Sequence, residues 1–166
     1  MITIIEGTNR PDSMTHKLAI FYQKILLEKN IDTKLLSLQN RNVWESGEEM
    51  TAIENEYLVD ADKFIFILPE YNGSFPGILK LMIDNSNVRK CWSFKKGLLI
   101  GLSQGRFGNI RGIDHFTSIL NYMKMNVLHN KIVLSTINEE IDDNGQILKQ
   151  ETEIRIKNQI NDFLQF

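Results

Sequence analysis

Apolar positions along the chain change their period several times, and each change marks an element. Ile2 to Glu6 is a short β-branched run closed by Gly7, a strand by composition. From Thr15 to Lys29 the residues Leu18, Tyr22, Ile25 and Leu26 recur at helical spacing, and Asn30 follows as a left-handed cap. Asp32 to Leu38 reads as a second strand. A polar stretch, Gln39 to Gly47, carries Trp44 and leads into a helix over Glu48 to Asp60, acidic in its first turn as the helix dipole favours. Lys63-Phe64-Ile65-Phe66-Ile67-Leu68 is almost wholly apolar, as a strand covered on both faces must be. The spacing predicts a third helix over Phe75 to Asn85, with Pro76 in its first turn. An apolar strand over Gly97 to Leu102 and a helix over Ile110 to Lys124 come next. Val127 to Ile137 holds a fifth strand, its start blurred by Asn130 and Lys131. Asp142-Asp143-Asn144-Gly145 is a turn. Gln146 to Phe166 is a last helix, with Ile147, Ile154, Ile160, Phe163 and Leu164 on its apolar side.

Strand and helix therefore alternate through the whole chain. Such alternation places helices on both faces of a parallel sheet. Right-handed crossovers leave few topologies. The expectation is an α/β fold with a doubly wound, five-stranded parallel sheet in the order 2-1-3-4-5. No repeat, low-complexity tract or linker divides the chain, so residues 1–166 are expected to form one domain.

Composition narrows the function classes. A net charge of −2 argues against a protein built to grip nucleic acid. Nowhere do ~18 consecutive apolar residues occur, so no membrane helix is expected. The first residues, Met1 to Gly7, lack the basic leader of a secretory signal, and a cytoplasmic location is expected. The single cysteine, Cys91, is expected to be a reduced, semi-buried thiol, and His16, His115 and His129 lie too far apart for a local metal motif.

In a sheet of this order, ligands bind beyond the carboxyl ends of the strands, where the strand order reverses. Three loops meet that condition. The first, Gly7 to Thr15, offers the hydroxyls of Thr8, Ser13 and Thr15, the cation of Arg10, and the start of a helix, whose free N–H groups suit an anion. It is neither a Walker A loop nor a Gly-x-Gly-x-x-Gly turn. The same residues also fit a plain capped turn, with Ser13 as N-cap and Arg10 in solvent. The second, Pro69-Glu70-Tyr71-Asn72-Gly73-Ser74-Phe75-Pro76-Gly77, holds two of the chain's three prolines. A loop that stiff can present main-chain donors and acceptors to the edge of a flat heterocycle, with Tyr71 as a wall and Phe75 in the core. The third, Ser103-Gln104-Gly105-Arg106-Phe107-Gly108-Asn109, has glycines for close approach or positive φ, Arg106 to meet an anion or simply to stand in solvent, and Phe107 to touch a planar ligand or a partner chain.

Together the three loops resemble the NADPH-dependent FMN reductase family, whose fold is flavodoxin-like. Gly7, Thr8, Arg10, Ser13, Leu18 and Ala19 fit its pattern Gly-Ser/Thr-x-Arg-x-x-Ser-x-x-x-x-Leu-Ala. Pro69 to Lys80 fit Pro-Glu-Tyr-Asn-x-Ser-x-Pro-Gly-x-Leu-Lys, followed by Ile83-Asp84. The third loop fits Ser-x-Gly-x-x-Gly. The resemblance implies non-covalent FMN, with NADPH or NADH as cosubstrate. Its phosphate is expected at Thr8, Arg10, Ser13, Met14 and Thr15. The ring is expected against Pro69, Glu70, Tyr71, Asn72 and Gly73, and its pyrimidine edge at Ser103 and Gly105, with Arg106 nearby. The resemblance also implies ping-pong hydride transfer to a small acceptor such as a quinone, free flavin, azo compound or metal ion, in a homodimer or homotetramer. No catalytic side chain is expected, since the flavin carries the chemistry. Three positions depart from the family: Asn109 where a second glycine is usual, Asn85 in place of Trp, and Leu81 in place of Asn. Trp44 is expected near the same rim, lining the acceptor pocket, packing on a partner subunit, or folding over a helix end. The rival readings are a flavodoxin-like electron carrier and an FMN-binding interaction protein without turnover.

Overall fold

The computed structural model describes residues 1–166. Six strands form the sheet: β1 (Ile2–Glu6), β2 (Thr33–Leu36), β3 (Lys63–Pro69), β4 (Lys96–Leu102), β5 (Asn126–Val127) and β6 (Ile132–Leu134). All pairings are parallel, in the order β2-β1-β3-β4-β5, with β6 also on β4. This is the expected 2-1-3-4-5 sheet. Its fifth position is filled by two short pieces rather than one strand over Val127 to Ile137. The break has a local cause: the Lys131 N–H turns back to the His129 carbonyl, and Gln159 Nε2 takes the Asn130 carbonyl at 2.8 Å. Neither group is then free for the ladder.

The helices are α1 (Met14–Glu28), α2 (Glu48–Ile53), α3 (Gly77–Asn85), α4 (Val88–Cys91), α5 (Ile110–Tyr122) and α6 (Gln150–Gln165). Ser13 caps α1, accepting the His16 N–H at 3.2 Å, and Asn30 is left-handed, both as the sequence implied. The expected helix to Asp60 instead widens after α2 into a π-type turn over Glu54–Leu58. The short α4 is not foreshadowed by periodicity. The last helix starts at Gln150, not Gln146. Ahead of it the Asp142 carboxylate accepts the N–H groups of Asn144 and Gln146, and Ile141 bridges Ile147 antiparallel. Ile147 thus belongs to a small hairpin-like arm, not to the helix.

Alternation along β3 feeds two cores. Phe64, Phe66 and Leu68 point to the α2–α5 side, Ile65 and Ile67 to the α1–α6 side. The two clusters hold 22 and 20 buried residues, so the sheet is covered almost equally on both faces. Each fully buried large apolar side chain contributes about 1.5–3 kcal/mol. Cys91 is fully buried among them, deeper than expected, and burial is the main cause that pushes its thiol up to about 12. No helix is long and apolar enough to cross a membrane.

Candidate active site

The β1–α1, β3–α3 and β4–α5 loops meet at one rim of the sheet, as its topology requires. They enclose a cavity of about 1120 Å³. Of the thirteen residues the sequence nominates, twelve line it: Arg10, Ser13, Met14, Thr15, Pro69, Glu70, Tyr71, Asn72, Gly73, Ser103, Gly105 and Arg106. Thr8 is the exception. It is 1% exposed and lies beneath the surface, where its hydroxyl and that of Tyr71 are 2.6 Å apart.

That bond joins two of the loops, and a second contact reinforces it. The Arg10 guanidinium lies 4.1 Å from the centre of the Tyr71 ring, an attractive cation–π geometry. Arg10 makes no ion pair. At the root of the first loop the buried Glu6 carboxylate meets His16 Nδ1 at 2.7 Å. In the second loop, Tyr71 and Ser74 exchange main-chain hydrogen bonds, with Asn72 and Gly73 left-handed between them. Asn72 is exposed at the tip of this turn. In the third loop Ser103 Oγ donates to the Gly105 carbonyl and accepts the Gly108 N–H. A side chain at Gly101 would overlap the Gly108 carbonyl, so glycine there lets the loop fold down on β4.

The main-chain N–H groups of Met14, Thr15, Asn72, Gly73, Gln104 and Gly105 have no partner in the protein. They fall into two sets, one at the start of α1 beside Arg10 and one along the second and third loops. This donor set suits a molecule with an anionic end and a flat end rich in acceptors, which is what FMN is. The cavity is large enough, since small-molecule pockets run from about 300 to 1,000 Å³.

Part of the lining comes from a region that the sequence did not single out as part of the site. Ile137, Asn138, Ile141, Asp142, Asp143 and Leu148 line the cavity from the arm that precedes α6. The arm docks on α1: Lys17 pairs with Asp143 at 3.6 Å, and Gly145 lies against Lys17. Its base is tied by Glu140, which accepts from Lys149 at 2.7 Å and from Thr152 at 2.6 Å. Burial raises the Glu140 pKa, but these two bonds outweigh it and hold the carboxyl below its ordinary range. The cue for the arm was an Asp-Asn-Gly turn flanked by isoleucines, a hairpin signature. Pro11, Asp12, Lys17, Leu102 and Gln104 complete the lining, with Phe107 as an exposed aromatic edge. Trp44 is 60% exposed and does not line the cavity. Asn85 instead donates to the Val43 carbonyl and anchors the loop that carries Trp44.

The sequence profile of the NADPH-dependent FMN reductase family matches residues 1–139. A 2-hydroxy-1,4-benzoquinone reductase of a Burkholderia species is 28% identical over 160 residues, covering 91% of this chain and 87% of its own. An NAD(P)H-dependent FMN reductase of Pseudomonas aeruginosa is 29% identical over 134 residues, covering 78% of this chain and 72% of its own. Among solved structures, a flavoenzyme NAD(P)H:(acceptor) oxidoreductase from Paracoccus denitrificans superposes with a TM-score of 0.78 at 22% identity, covering 99% of this chain and 94% of that one. An archaeal flavodoxin shares the fold at a TM-score of 0.63 and 14% identity, covering 98% of each chain. Fold, rim and sequence profile agree: the chain belongs to the NADPH-dependent FMN reductase family and is an FMN-dependent NAD(P)H oxidoreductase.

Proposed function

We propose that this enzyme holds FMN in the cavity at the carboxyl edge of its sheet and delivers electrons from NADH or NADPH to a small planar acceptor, a quinone above all. The observation that carries the reading is the pairing of two sets of unpartnered N–H donors with the unpaired Arg10 around one cavity. The Burkholderia relative, which matches over most of both chains, is a 2-hydroxy-1,4-benzoquinone reductase.

The phosphate is assigned to Arg10, the Ser13 hydroxyl and the N–H groups of Met14 and Thr15 at the start of α1. Thr8 serves from beneath by fixing Tyr71. Pro69 to Gly73 form the wall for the ring, and Ser103, Gly105 and Arg106 face its polar edge. FMN, when bound, supplies the hydride chemistry, accepting from the nicotinamide and giving to the acceptor in ping-pong order. The chain's own contribution is placement and charge. Free main-chain donors along the second and third loops favour added negative charge on a ring beside them. Phe107, 60% exposed, and Ile110, 49% exposed, leave an apolar lip next to the rim that fits self-association into a dimer or tetramer. The assigned location is the cytoplasm.

The visible spectrum of the purified protein tests this. Bands near ~370 and ~450 nm that bleach on addition of NADH or NADPH, and return with a quinone, are the expected result. A colourless protein that takes up no added FMN overturns the reading. Bleaching without steady turnover on any quinone keeps the NAD(P)H step and removes quinones as the acceptor.

A further inference from the structure

The third loop ends in Gly108-Asn109. Asn109 is left-handed, with φ 66°, and it is 1% exposed at the start of α5. It is absent from the cavity lining. Its Nδ2 donates to the Leu68 carbonyl at 2.9 Å and to the Pro69 carbonyl at 3.0 Å. The other half of the Pro69–Glu70 peptide is held as well, because the Glu70 N–H donates to the Leu102 carbonyl at 2.9 Å. One peptide plane at the base of the second loop is therefore gripped from both sides. It cannot rotate without losing both bonds.

Two further features single this side chain out. Its Oδ1 is buried and has no partner. A stranded acceptor is destabilising, which offsets much of what the two donor bonds contribute. Stability alone is thus a poor account of the residue. One turn along, a Cβ on Gly112 would overlap the Asn109 carboxamide. Gly112 keeps open the space that the carboxamide fills.

We infer that Asn109, seated in the room left by Gly112, is a positioning residue for the flavin. It locks the Pro69–Glu70 peptide and so fixes the direction in which the following N–H groups of Asn72 and Gly73 meet the ring. The inference rests on the assignment of the ring to residues 69–73.

A double-mutant cycle on the full-length protein tests it, with FMN Kd from flavin fluorescence and the melting temperature of the apoprotein as readouts. Asn109→Gly removes the carboxamide, and Gly112→Ala displaces it without touching residue 109. Each single variant is expected to weaken FMN binding about tenfold, as for loss of one to two hydrogen bonds. The apoprotein of Asn109→Gly is expected to melt within a few degrees of wild type. With residue 109 a glycine, the methyl of Gly112→Ala has nothing to displace, so the double variant binds no worse than Asn109→Gly alone. An unchanged Kd in Asn109→Gly, additive losses in the double variant, or a large melting drop at constant Kd each overturn the inference. If wild type binds no FMN, the assignment of the ring falls first and takes this inference with it. If wild type binds tightly and the variants bind equally well, only the inference falls.

Discussion

The two edges of the sheet use similar side chains to opposite ends. Where the strands begin, cations are consumed by the fold. Lys63 Nζ donates to the carbonyls of Phe163 and Leu164, and Lys95 Nζ to those of Leu58 and Val59. Burial lowers the pKa of both lysines, the cost of keeping them there. The Trp92 N–H is likewise taken, by Ser86 Oγ at 2.7 Å. Where the strands end, Arg10 and Arg106 pair with no carboxylate, and N–H groups on all three loops lack partners. One edge completes itself. The other leaves donors that the protein itself does not satisfy. Stability and binding should therefore separate along the strand axis, and substitutions at each edge can show whether they do.

Trp92→Ala should give the largest effect. Trp92 is fully buried, its ring 5.0 Å from Phe64 and 6.1 Å from Phe66. Its loss should cost about 3–5 kcal/mol in urea unfolding. FMN affinity of the fraction that remains folded should stay within about threefold. Arg10→Ala is the mirror experiment. It should weaken FMN binding by about 1.5–3 kcal/mol, with the loss shrinking at high salt. Its unfolding free energy should move by less than about 0.5 kcal/mol. Unchanged FMN affinity would remove Arg10 from the site, and a drop in affinity in Trp92→Ala as large as in Arg10→Ala would end the division between the edges.

How far this division shows in the sequence depends on how local its causes are. The first two loops were legible because proline, glycine and N-cap residues carry their meaning within a few positions. Ser13 capped where its type and place said it would, and Asn30 and Asn109 took the left-handed conformations their side chains tolerate. The strand order followed from β–α alternation once right-handed crossovers had limited the topologies. What stayed hidden depends on distant partners. The split between β5 and β6 needs Gln159 to reach Asn130. The arm that walls the cavity is docked through Lys17, far from it in sequence. The stacking of Arg10 on Tyr71 spans two loops, so neither loop alone distinguishes a solvated arginine from a poised one. Trp44, nominated on the position of its loop, lies off the cavity because Asn85 anchors that loop elsewhere.

Cys91 sharpens the closed edge through pH. Its thiol is raised to about 12, first by burial and next by the Glu54 carboxylate. An unfolded cysteine ionises near pH ~8.5. The folded chain therefore keeps a proton that the unfolded chain releases. A group raised in this way contributes stability that is complete below the unfolded pKa and is lost as pH climbs towards the folded one. Unfolding free energy should fall above pH ~8.5, by on the order of 1 kcal/mol at pH 9 from this group. Cys91→Ala should flatten that part of the profile, whatever the offset from the small cavity it leaves. An identical alkaline slope in the variant would show that the thiol is not held protonated by the fold. FMN binding should be indifferent to the change.

The arm before α6 provides the finest test, because it belongs to the open edge yet is assembled like the closed one. Glu140 holds its base through Lys149 and Thr152, while Asn138, Ile141 and Leu148 face the cavity. The phosphate and ring assignments do not involve these residues. Glu140→Ala should thus loosen one wall without touching the flavin cradle, leaving FMN Kd unchanged. KM for the nicotinamide or the quinone should rise by about two- to fivefold, as when a local element loses an anchor. Steady-state kinetics with each substrate varied in turn separates the two and tells which of them the arm contacts. A rise in FMN Kd instead would place the arm over the flavin itself. No change in any of the three constants would mean that the arm shapes the cavity but meets none of its occupants.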